Sequence, residues 1–72
     1  MGGITADPEV LGGKPVVAGT RITVEEILRR LAAGESPEAI REAFPRLTPE
    51  GLRAALAYAA EVLGAERVRR LP

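Results

Sequence analysis

Three helix-start signals, evenly placed along the second two-thirds of the chain, constrain its fold more than any other feature. Thr23 precedes Val24 with Glu26 three positions on, the pattern of a capping box. Ser36-Pro37 and Thr48-Pro49 each set a hydroxyl cap before a proline whose missing N–H costs nothing at a first helical position. Gly34 stands where the first helix must end, and Pro45 stops the second. In the first helix Val24, Ile27, Leu28 and Leu31 recur at helical spacing; in the second, Ile40, Ala43 and Phe44 point inward. The third runs to about Leu63 and is closed by Gly64. Its predicted core face holds Leu52, Leu56, Ala59, Val62 and Leu63 with Ala55. Glu50, Ala54, Ala57 and Glu61 stand opposite, flanked by Arg53, and Tyr58 lies at the edge. A mainly α, three-helix bundle of the helix-turn-helix type follows.

Upstream of Thr23 the pattern is extended and turn-rich. Ile4-Thr5-Ala6 and Pro15-Val16-Val17 read as short strands, with Leu11-Gly12-Gly13 a turn between them. Ala18-Gly19 turns the chain into a third short strand at Arg21-Ile22. The chain thus divides into a loop-rich arm over residues 1–14, a β turn plus trihelical domain over 15–64, and an Arg-rich tail over 65–72.

A domain of 72 residues is marginally stable without help from disulfides, metal or a partner. Cys and His are absent, which removes disulfides and the common nitrogen and sulfur metal ligands, and leaves homodimerisation or a higher homo-oligomer as the expected aid. No cofactor, metal or catalytic residue is expected: the one Ser is a helix cap, the one Asp sits in the N-terminal arm, and an enzyme reading is rejected. Apolar runs fall far short of a membrane span and no secretory signal is evident, so a cytoplasmic location is the default expectation.

Ten basic residues, nine of them Arg, balance ten acidic ones, so net charge gives no nucleic-acid signal. The candidate sites are therefore local. Gly19-Thr20-Arg21 lacks the spacing of a phosphate loop. It reads as a turn glycine, with Arg21 reaching toward Glu25 or toward a partner chain. Arg41, Arg46 and Arg53 are candidate contacts to DNA phosphate, although Glu50 and Glu61 on the third helix oppose that role. Ala54, Ala57 and Tyr58 offer a candidate helix-packing or oligomer face. Arg67, Arg69 and Arg70 form a cluster suited to charge-assisted pairing with an acidic surface.

Several pieces together carry a resemblance. They are Gly12-Gly13-Lys14-Pro15, Gly19-Thr20-Arg21-Ile22, Ala33-Gly34-Glu35-Ser36, Phe44-Pro45-Arg46-Leu47-Thr48 and Ala57-Tyr58-Ala59-Ala60. In order and spacing, roughly residues 7–63 resemble the bacterial and archaeal family called domain of unknown function 433. The resemblance implies a homeodomain-like trihelical fold behind a short β segment. It also implies an antitoxin-like member of a type II toxin–antitoxin pair of the VapB sort, with a PIN-like ribonuclease as protein partner. Gly13, Lys14, Gly19, Thr20 and Arg21 are then family-motif residues and candidate partner contacts, and Arg67, Arg69 and Arg70 candidate toxin contacts. DNA would be met mainly as part of the complex. The alternatives are a stand-alone helix-turn-helix regulator, tested by salt-dependent promoter binding, and a non-catalytic interaction module.

Overall fold

The structure, a computed structural model, describes residues 3–65. Strands β1 (Ile4–Thr5) and β2 (Val16–Val17) are followed by helices α1 (Val24–Ala32), α2 (Pro37–Ala43) and α3 (Pro49–Ala65), a mainly helical three-helix bundle behind an antiparallel β pair. Ile4 stands opposite Val17 and Thr5 opposite Val16.

Each helix starts where its hydroxyl placed it. Thr23, Ser36 and Thr48 accept from the backbone N–H of Glu26, Ala39 and Gly51 at 3.0, 3.0 and 2.9 Å. The capping box is only half formed, because the Glu26 carboxylate turns away from Thr23 to take Arg30 at 2.9 Å. α1 ends in a Schellman arrangement, with Gly34 N–H on the Leu31 carbonyl and Glu35 N–H on that of Arg30. Gly64 does not close α3; it is helical, and the helix runs on to Ala65.

Ile4, Val17, Val24, Ile27, Ile40, Leu47, Leu52 and Ala55 form the core, with Ile22, Leu31, Phe44, Ala54, Tyr58 and Ala59 packed against it. Ala43, expected inward, is exposed. The buried face of α3 is rotated from its predicted position. Leu56, Val62 and Leu63 are exposed, whereas Gly51 is buried and Ala54 half-buried. The β pair is the reason, since it packs along the side of α3 that helical periodicity assigned to solvent. Gly51 makes this approach feasible: a Cβ there would lie 3.0 Å from Val17 Cγ1 and 3.3 Å from Leu47 Cδ1. A Cβ at Gly3 would lie 2.9 Å from that of Ala54, so the half-buried Ala54 packs against the N-terminal arm.

Candidate functional site

The segment between β2 and α1 is a closed turn. The N–H of Val17 donates to the carbonyl of Ile22 at 2.9 Å, and that of Val24 to Pro15 at 3.0 Å. Arg21-Ile22 is not a strand; a single bridge pairs Val16 with Thr23 instead. Gly19 adopts φ 79°, a left-handed conformation that a side chain would strain. Thr20 then pins the loop, its hydroxyl donating to the Val17 carbonyl at 2.7 Å and accepting from the Ile22 N–H at 3.0 Å. With Thr20 turned inward and Ile22 packed on the core, Arg21 is the residue presented to solvent. It does not meet Glu25. That carboxylate is held by Lys14 at 3.0 Å and by Arg29 at 2.8 Å, and its pKa is lowered chiefly by the Arg29 hydrogen bond and then by Lys14.

A second motif is drawn to the same place. Arg30, on α1, donates to Glu26 at 2.9 Å and to Glu35 at 3.3 Å, and its guanidinium stacks 4.7 Å from the centroid of the Phe44 ring. The two carboxylates, the Glu26 hydrogen bond first, raise the Arg30 pKa and fix a charge that is permanent in any case. The clamp anchors the start of the α2–α3 connection, at Phe44, against the last turn of α1. Leu11, Arg21, Ile22, Phe44, Pro45 and Arg46 thereby line an open groove of about 630 Å³, completed by Thr20, Thr23, Glu26 and Arg30. Leu11 reaches it from a short 3-10 turn (Leu11–Gly13) at φ 52°, unusual for a residue with a side chain.

The polar groups of this groove divide cleanly. Both threonine hydroxyls serve the backbone and Glu26 is paired with Arg30, while Arg21 and Arg46 have no ion-pair partner among the described residues. An apolar floor thus carries two available guanidinium groups, a surface suited to carboxylate or phosphate held by bidentate hydrogen bonds. Sequence reading singled out Arg21 and Arg46 for different roles; the fold puts them on one groove. It passed over Leu11 and the Arg30–Phe44 stack, for which the spacing of Glu26, Arg30 and Glu35 was the only available signal.

The other predicted residues are dispersed. Arg41 shares a shallow recess with Glu38 and Glu42, and Arg53 faces Glu50 at 3.8 Å. Ala57 is exposed and Tyr58 half-buried. Gly13 is half-buried, and Lys14 is engaged with Glu25. Arg67, Arg69 and Arg70 lie outside the described residues. Among the described residues no group of three or more His, Cys, Asp or Glu is placed to hold a metal ion, and no helix is long and apolar enough to cross a membrane.

Comparison with known proteins places these motifs in one family. Residues 4–59 match the family described as "Protein of unknown function (DUF433)". The chain belongs to the DUF433 family. The match includes both strands and both walls of the groove, and takes in the N-terminal arm from Ile4 onward. A Sinorhizobium fredii protein named "Uncharacterized protein y4eO" is 46% identical over 56 residues. That alignment covers 78% of this chain and 25% of the relative, so the chain matches about a quarter of that protein's length. No solved structure gives a significant match.

Proposed function

We propose that this DUF433 chain is an antitoxin-like protein of the cytoplasm that binds and neutralises a PIN-like ribonuclease, and that the Arg21–Arg46 groove is a principal contact surface. The observation that carries this reading is the pair of guanidinium groups left available over an apolar floor while every neighbouring charge is internally compensated. Such a surface pairs with carboxylates through charge-assisted hydrogen bonds and gains specificity from apolar contact alongside them. A ribonuclease whose active site is a cluster of acidic residues offers the complementary chemistry. The role is recognition and not catalysis. Autoregulation of the operon is assigned to the complex, because Arg41 and Arg53 each lie beside carboxylates that oppose phosphate binding by the chain alone.

The test is co-purification with the product of the adjacent gene, followed by an RNA-cleavage assay with and without this protein. Suppressed cleavage on forming a stable complex is the expected result. A neighbouring product that neither binds nor cleaves RNA, together with a salt-sensitive promoter complex formed by this chain alone, overturns the reading in favour of a stand-alone regulator.

A further inference from the structure

Opposite in character to the groove is an apolar strip on α1 and α3. Leu28 is 36% exposed, Leu56 40%, Val62 44% and Leu63 64%. Leu28, Tyr58, Ala59, Val62 and Leu63 line a second open depression of about 400 Å³, with Pro15 and Val24 at its base. Along α3, Leu56, Ala59 and Leu63 repeat at the spacing of a helix-packing stripe, and the small Ala59 between larger residues permits close approach of another helix. No described element of the chain covers this stripe.

We infer that this face binds a second copy of the same chain, forming a two-fold dimer whose grooves remain open. The charges on its rim select the occupant. Glu25 and Arg29, one turn apart on α1, border the depression and are paired with each other at 2.8 Å. A two-fold axis brings the same patch to itself, so the surface must be self-complementary. A rim with one carboxylate and one guanidinium satisfies that condition, since each copy's Glu25 can meet the other's Arg29. A partner of strong single charge would favour the first groove, where the available charges are both positive. The exposed leucines supply the desolvated centre of the contact and the charged rim its register. The inference does not depend on the identity of the toxin.

Sedimentation equilibrium on the full chain tests it. A monomer–dimer equilibrium that reaches mainly dimer at high micromolar concentration is expected. Leu63→Glu and Leu28→Glu should each weaken association by roughly a hundredfold while retaining wild-type helical circular dichroism, because both side chains are substantially exposed in the single chain. Glu25→Arg and Arg29→Glu should each weaken self-association by about tenfold, and an equimolar mixture of the two should associate more tightly than either alone. A wild-type monomer throughout the concentration range overturns the proposal, as does Leu63→Glu dimerising like wild type. A mixture no tighter than its components overturns the proposed charge register.

Discussion

The cationic groove and the apolar strip lie on one small core and are built on opposite terms. In the groove the supporting polar groups are held within the fold, Thr20 by two backbone groups and Arg30 by Glu26, Glu35 and Phe44, which leaves Arg21 and Arg46 as its available charges. In the strip the defining residues are leucines and valine that no described part of the chain covers. The supports of the first surface are fixed within the fold, whereas its two exposed Arg side chains would be ordered only on binding. The second owes its driving force to water released on association. Under the two proposals, recognition and assembly are divided between two faces of one core.

The largest effect tests whether both faces depend on one core. Ile40 is fully buried, and Ile40→Ala should cost about 2–5 kcal/mol in chemical denaturation and weaken groove binding and self-association together. Loss of one function with the other intact would show that the two regions are separately supported. Thr20→Val sharpens the contrast. It leaves the half-buried Ile22 N–H without its acceptor, should cost about 1–2 kcal/mol, and should loosen Arg21 without changing the sedimentation behaviour.

Two glycines of α3 provide a smaller and more discriminating pair. Gly51→Ala forces a Cβ against Val17 and should destabilise by about 1 kcal/mol, despite the better helix propensity of alanine. Gly64→Ala meets no atom within 4 Å and should stabilise by about 0.5 kcal/mol in thermal melts. Equal signs would mean that the β pair does not press on α3 as described.

The smallest effect concerns Glu25, which links the hairpin loop to the strip through Lys14 and Arg29. Its folded pKa is depressed, so its contribution is present above the usual carboxylate range and lost as pH falls through the depressed value. The group is exposed and screened by salt. Glu25→Gln should therefore lower the melting temperature only slightly at neutral pH, with the difference from wild type vanishing in strong acid or high salt. A difference that grew on acidification would contradict the assigned ion pair.

Much of this fold is legible from local chemistry. Thr23, Ser36 and Thr48 announce the three helices, and Gly34 marks the first stop, because caps are decided by a few adjacent backbone groups. The misreadings have a common cause. Helical periodicity puts Leu56 and Leu63 in the core and Ala54 at the surface, because it reports that a helix has an apolar face and not which neighbour will cover it. The β pair claimed the Gly51–Ala54 side through close approach, which small residues permit and periodicity does not weigh. A spacing of four residues pairs Glu25 with Arg21 or with Arg29 equally well; only helical geometry selects Arg29, one turn on in α1, and only the fold brings Lys14 to the same carboxylate. The groove itself joins Leu11, Arg21 and Arg46, residues that only tertiary packing brings together.

The central claim is that Arg21 and Arg46 make this groove a recognition surface, and a charge-reversal titration tests it most directly. Arg21→Glu with Arg46→Glu, titrated into the RNA-cleavage reaction of the proposed ribonuclease partner, should raise the concentration needed for inhibition by roughly a hundredfold. Melting temperature and dimer mass should stay at their wild-type values. Inhibition equal to wild type by the doubly reversed protein would contradict the account.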